Sequence, residues 1–264
     1  MSLDPAGPGL QVVPELRAVF AAAGISTVSR VLECAECVRD LPDRSNHILR
    51  LGSTVIHIKR TKHASVSAEA EAIAIAREIG IATAEIALIG VDERIGALLG
   101  TFDLAPARPL DELLREGRIP PHRRKAILYG LATAVGRLHA RGCFPRDLYL
   151  NHAFVEANPD PATDPVIGCA VVTLIDLERM RLPRLLRERA AARDLAALRS
   201  SVPDEYVSTA ERWRFLESYF PPGTADRRRM TRMAARIEAM ALRIRRHVPR
   251  TPVGDAARPV RPSP

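Results

Sequence analysis

The chain has 264 residues, 47% of them apolar but only 4% aromatic, and a formal net charge of +8. That length can bury a core as one domain or two lobes, and the wealth of alanine and arginine favours helices over an all-β fold. No apolar run approaches the roughly 20 residues of a membrane span. The Pro- and Gly-containing start lacks a basic-then-apolar leader, so no secretory signal and a cytoplasmic location are expected.

Residues 1–13 read as a disordered N-terminus. Pro14 to Ala23 reads as a helix with proline in its first turn and Gly24 at its end. Val28 to Val38 is ambiguous, and a polar break from Leu41 to His47 follows. In Ile48 to Arg60 apolar and polar residues alternate around a turn at Gly52-Ser53, which predicts a β-hairpin. Ser67 caps a helix over Ala68 to Ile79, with Glu69 in its first turn and Gly80 as its stop. Glu85 to Val91 and Ala97 to Phe102 are two further strands. The first hundred residues thus give a small antiparallel sheet with one packed helix.

Beyond Asp103 the pattern turns helical: Leu110 to Arg115, then a long amphipathic helix from Pro121 to Arg141 with Ile127, Leu131, Val135 and Leu138 on one stripe. His152 to Glu156 and Val171 to Asp176 are strands joined by a Pro-rich loop, 158–165. Helices over Pro183 to Ser200, Ser208 to Tyr219 and Asp226 to His247 complete the chain. Residues 249–264 are too rich in proline and arginine to pack. The predicted class is α+β and bilobal: a β-rich N-lobe over 14–103 and a mainly helical C-lobe over 104–248. A nucleotide suits the crevice between such lobes.

All of the charge excess lies from Asp226 onward, where eleven arginines face three acids. A solvated helical face with an unpacked end accounts for it. The sharper reading is attraction to a phosphate-rich partner, such as an anionic membrane surface or a phosphorylated glycolipid. No aromatic-bearing nucleic-acid motif accompanies the charge, so no nucleic-acid partner is expected. Cys34 and Cys37 form a CxxC, but no second pair has ligand spacing, and Cys143 and Cys169 stand alone. Free thiols are expected rather than a zinc or redox site.

Two stretches carry the chemistry. Phe144-Pro-Arg-Asp-Leu-Tyr-Leu-Asn-His152 puts Asp147 in a short turn, and Thr173-Leu-Ile-Asp-Leu-Glu-Arg179 delivers Asp176 at the end of a strand. Acids at the ends of neighbouring strands can share a site, one orienting a hydroxyl and the other holding a metal that carries phosphates. Lys59 ends an alternating strand, and facing inward it needs an anion, because an unpaired buried charge is costly. Glu69 on the next helix can supply one. Glu71 is its rival, but it lies roughly 200° further round the helix, so only one of the two faces the sheet. Taken singly, Lys59 is equally an edge-strand lysine, Asp147 a turn former and Asp176 a strand-end cap. Their order along the chain is what makes them a set.

These motifs resemble the lipopolysaccharide kinase (Kdo/WaaP) family, relatives of protein kinases, whose pattern is His-Arg-Asp-x-Tyr-x-x-His followed by Ile-Asp-Leu-x-Arg. Glu69, eleven residues before Gly80-Ile-Ala-Thr, also fits, as do Arg193-Asp-Leu-Ala-Ala-Leu and Arg212-Trp-Arg-Phe-Leu-Glu-Ser-Tyr. The likeness covers roughly residues 15 to 220. It implies a protein-kinase-like fold that uses ATP and Mg²⁺ to phosphorylate a sugar (Kdo or heptose) of the lipopolysaccharide inner core. The work would be done at the cytoplasmic face of the inner membrane, with peripheral contact to anionic lipid.

By the same resemblance Lys59 contacts phosphate with Glu69 as its partner, and Asp147 is the catalytic acid. Asp176 and His152 take the metal. Phe102, Leu104 and Arg146 join Lys59 and Glu69 around the nucleotide, Arg179 shapes the site, and Asp194 is a structural acid beneath the catalytic loop. Two departures stand out: Pro145 replaces the family's His, and no Gly-x-Gly-x-x-Gly precedes Lys59. Two other readings stay open. One is a kinase of the same fold acting on another small molecule or a protein. The other is a catalytically weak pseudokinase serving as a nucleotide-binding module.

Overall fold

A computed structural model describes residues 3–4, 7–62, 66–119, 121–156, 170–183 and 185–247. The Pro-rich loop, Cys169 and the 249–264 tail fall outside the described residues.

The N-lobe is a six-stranded antiparallel sheet. Its strands are β1 (Gly9–Val12), β2 (Glu36–Leu41), β3 (Arg44–Leu51), β4 (Thr54–Thr61), β5 (Ile86–Asp92) and β6 (Gly96–Phe102), in the spatial order β1-β5-β6-β4-β3-β2. The hairpin turn at Gly52-Ser53 is where alternation put it, and Gly52 takes the left-handed φ of 60° that such a tight turn favours in glycine. Two strands are additions. Gly9–Val12, expected to be disordered, pairs with β5, and the ambiguous stretch resolves into helix α2 (Val28–Cys34) followed by β2.

Period-two alternation gives this sheet two apolar faces. Leu49, Ile56, Ile58, Leu88 and Leu98 pack under α1 (Arg17–Ala22) and α2, with Phe20 and Val31 at the centre. Ile89 and Leu99 face the other way, toward α3 (Val66–Glu78), whose Ala70, Ile73 and Ala76 join the core continuous with the helical lobe. The expectation of one packed helix is therefore corrected: α3 covers one face, and α1 with α2 covers the other.

The helical lobe holds α4 (Leu110–Arg115), α5 (Pro121–Ala140), α6 (Arg187–Ser200), α7 (Thr209–Tyr219) and α8 (Arg227–His247). Ser208 starts α7 with a capping box, its side chain accepting from the Glu211 amide while Glu211 reaches back. A second small sheet sits at the lobe's mouth, in the order β7 (Arg108–Pro109), β8 (Ala153–Val155), β9 (Thr173–Leu174). Both strands flanking the Pro-rich loop are shorter than predicted. The α6 helix begins at Arg187, not Pro183, because Phe144 and Arg181 exchange two backbone hydrogen bonds of 2.9 Å that hold the preceding segment extended.

The same small sheet ties the lobes together. Leu174 N–H donates to the Ala82 carbonyl at 2.9 Å, just beyond α3. This fixes the end of β9, and so Asp176, against the N-lobe. The α8 helix buries Met233, Ile237 and Ala241, so the start of the basic C-terminal segment is part of the core. No helix among the described residues is long and apolar enough to cross a membrane.

Candidate active site

Between the lobes lies a cleft of about 490 Å³. Asn46, Lys59 and Glu69 line it from the N-lobe, Phe102, Asp103 and Leu104 from the linker, and His152 and Asp176 from below. Lys59 stands at its centre. It donates to Glu69 Oε2 at 2.7 Å, Asp176 Oδ1 at 3.0 Å and Glu178 Oε2 at 3.2 Å. Strand, helix and loop therefore meet on one ammonium. Glu69 is buried and Glu71 exposed, which settles which glutamate faces the sheet.

The electrostatics follow from one cation among three carboxylates. Burial works against the Lys59 ammonium, but Glu69 and Asp176 outweigh it and raise its pKa. Glu69 is the most enclosed of the three, and burial holds it above the ordinary carboxylate value despite Lys59. Asp176 goes the other way. Burial penalises it too, but Lys59, then His152 and Arg44, hold its carboxyl below the usual range. Asp176 also adopts a left-handed backbone, φ 57°, and Arg146 does the same at φ 70°. Such conformations outside glycine carry strain and collect at functional loops.

His152 is oriented by the loop that precedes it. Its Nδ1 lies 2.8 Å from the Asp147 carbonyl, an acceptor only, so Nδ1 carries the proton. Nε2 then faces Asp176 Oδ2 at 3.7 Å. A lone pair opposite a carboxylate oxygen calls for a cation or proton between them, so the pair fits a metal. Glu178 completes the acidic side: ligand atoms of Glu69, Asp176 and Glu178 all lie within 4.8 Å of one another. Oxygen donors of this kind suit Mg²⁺. Sequence reasoning missed Glu178, because the left-handed Asp176 and the turn that follows it carry no strand alternation to mark which side chain comes back to Lys59.

Asp147 shares a loop with His152, and Arg179 Nη1 donates to both of its carboxylate oxygens at 2.9 and 3.0 Å. Neither Asp147 nor Arg146 is among the residues lining the cleft. Pro145 is buried and the loop around it stays tied down. Phe144 is bridged to Arg181 and stacks on His139 with ring centroids 4.8 Å apart, and the His139 imidazole lies between Tyr219 and Asp194. The described thiols are free: Cys34 and Cys37 exposed, Cys143 buried.

The model of the lipopolysaccharide kinase (Kdo/WaaP) family matches residues 42–219. This chain belongs to that family. The lipopolysaccharide core heptose(I) kinase WaaP of Pseudomonas aeruginosa is 29% identical over 159 residues, 58% of this chain and 58% of that protein. The match thus spans less than two thirds of the relative's length. A solved structure of WaaP in complex with acyl carrier protein matches with a TM-score of 0.69 at 25% identity, covering 89% of this chain and 98% of that one. The bilobal, protein-kinase-like fold expected for the Kdo/WaaP family is the fold observed.

Proposed function

We propose that the chain is an ATP-dependent phosphotransferase whose acceptor is a sugar hydroxyl, Kdo or heptose, of the lipopolysaccharide inner core. One observation carries this reading: Lys59 is held by Glu69 and faces Asp176 across a cleft of nucleotide size. Phosphoryl transfer asks little covalent chemistry of a protein and much positioning and charge neutralisation. Lys59 binds the phosphates not transferred, and Glu69 keeps it aimed. Asp176 and His152 hold Mg²⁺, with Glu178 within reach. The metal supplies charge neutralisation on the phosphate oxygens.

Asp147 orients the acceptor hydroxyl and takes its proton, and Arg179 holds that carboxylate in place until the acceptor arrives. Phe102 and Leu104 cover the base. Family membership and the heptose kinase relative favour a lipopolysaccharide sugar over other acceptors. The solved relative makes acyl carrier protein the first partner to try by pull-down.

A lipid-borne acceptor places the protein at the cytoplasmic face of the inner membrane. The exposed arginines Arg227, Arg228, Arg232 and Arg236 of α8 suit peripheral contact with anionic lipid. Replacing these four with alanine should lower co-sedimentation with anionic vesicles, and unchanged binding would remove that part of the reading. This substitution is a better probe than deleting α8, because the helix is part of the core.

The decisive test pairs binding with turnover. Mg²⁺-ATP should raise the melting temperature, since a ligand that binds only the native state stabilises it. ATP consumption should then depend on added lipid A–core acceptor. Asp147→Ala should abolish turnover while sparing nucleotide binding, and Lys59→Ala should impair both. No thermal shift in the wild type would leave a module without nucleotide and end the phosphotransferase reading.

A further inference from the structure

The hairpin over the phosphate end of the cleft has a turn unlike a glycine-rich loop. Strands β2 and β3 are joined by two residues only, Pro42 and Asp43. Where backbone amides cradle phosphates, glycines let the main chain come close and each amide donates. Pro42 has no N–H to donate. The Asp43 carbonyl is occupied by the Lys62 amide at 3.0 Å, which pins the turn to the end of β4. Of the two turn residues only Asp43 carries an N–H, so side chains must supply most of the contacts.

The register shows which side chains do so. Asn46 lies opposite Lys59 and Arg44 opposite Thr61 in the β3–β4 ladder, while Arg39 lies opposite Asn46 in the β2–β3 ladder. Directly opposed residues share a face of the sheet, as do residues two apart on one strand. Asn46 and Lys59 line the cleft, so Arg44 belongs to the cleft face one step nearer the tip, with Arg39 diagonally beside it. Asp40 lies opposite Ser45 and belongs to the other face. Both arginines are exposed, and neither guanidinium has a hydrogen bond or ion pair among the described residues. Arg44 also contributes to the field that keeps Asp176 ionised on the far side of the cleft.

We propose that Arg44, assisted by Arg39, forms a side-chain clamp on the β- and γ-phosphates of a nucleoside triphosphate, replacing the amides of a glycine-rich loop. The inference rests on the nucleotide reading above and says how that site grips its ligand. A guanidinium suits the task, because its planar fork can donate two parallel hydrogen bonds to one phosphate. With Lys59 beneath and Arg44 above, the polyphosphate lies between two cations while Asp176 and Glu178 face its metal.

Calorimetric titration of wild type, Arg44→Ala and Arg44→Lys with Mg²⁺-ATP, Mg²⁺-ADP and adenosine tests this. Arg44→Ala should weaken Mg²⁺-ATP by about tenfold or more, the loss expected of a charge-assisted hydrogen bond. Adenosine should bind unchanged, and Arg44→Lys should recover part of the loss. Arg246→Ala, which removes the same charge from an exposed site on α8, should leave Mg²⁺-ATP binding as it was. Two results would overturn the clamp: Arg44→Ala binding Mg²⁺-ATP as tightly as wild type, or an equal loss for adenosine, which would mean a distorted hairpin. A wild type that binds no Mg²⁺-ATP would take the nucleotide reading down together with the clamp.

Discussion

Asp194 and His139 lie 3.3 Å apart with side chains 1% and 4% exposed, whereas Asp176 and His152 lie 3.7 Å apart at 37% and 20%. Around the first pair every side is closed. Tyr219 Oη meets His139 Nδ1 at 2.9 Å, Phe144 stacks on the imidazole, and burial together with Asp194 raises the tyrosine's pKa. Around the second pair one face of each residue opens on the cleft, and the histidine's second nitrogen has only a carboxylate in front of it. The same two residue types make scaffold where packing encloses them on every side, and a candidate site where one face is left open toward a cavity.

The largest expected effect separates the two acids. Asp194→Ala removes one partner of a buried pair beside Phe144 and should cost about 3–5 kcal/mol by urea denaturation. Asp176→Asn leaves Glu69 and Glu178 on Lys59, so its cost should stay under about 1 kcal/mol. Phosphoryl transfer by that variant should nevertheless fall about a hundredfold or more. Equal destabilisation by both changes would break the distinction between scaffold and site.

Lys59→Met sharpens the picture from the cation's side. Glu69 would be left as a buried carboxylate without its partner, a loss of about 3 kcal/mol near neutral pH. The pH dependence has a definite sign. Burial already sets the folded pKa of Glu69 above its ordinary value, and losing Lys59 raises it further. An acid with a raised folded pKa binds more protons folded than unfolded, so stability is retained below the unfolded pKa and lost as pH rises through the folded one. Melting curves should therefore show the variant recovering toward wild type in acid. A gap that stayed constant with pH would mean Glu69 is not the group responsible.

Lys59, Glu69, Asp147 and Asp176 could be picked out as candidates because local patterns mark their places: the end of an alternating strand, the first turn of a helix, a proline-bearing turn. The expected Ser67 cap was wrong, since α3 already begins at Val66. Strand β2 was not legible. Its first five residues are exposed, so it carries no apolar alternation, and only pairing with β3 makes it a strand. That loss hid Arg39 and Arg44, because a polar stretch reads as a break until the ladder gives its register.

Long-range closeness was hidden too. A Cβ on Gly136 would lie 2.3 Å from the Tyr219 carbonyl, so this glycine lets α5 approach α7 closely enough for His139 to reach Tyr219. Nothing local in the sequence marks that glycine out from any other in a helix.

The smallest expected effect lies at the linker. His57 Nε2 meets Asp103 Oδ1 at 2.7 Å, but both groups are well exposed, the histidine side chain by 49%. His57→Ala should cost under about 1 kcal/mol. Burial disfavours the Asp103 carboxylate, but the His57 contact and the Ala105 and Leu104 amides together outweigh it and depress its pKa. A depressed acid contributes stability above its unfolded pKa and loses it as pH falls through the folded value. The difference in melting temperature between wild type and variant should thus persist at neutral pH and shrink below about pH 4. A larger difference, persisting in acid, would mean that this contact sets the angle between the lobes, and the cleft's charges would then depend on the linker as well as on the loops that carry them.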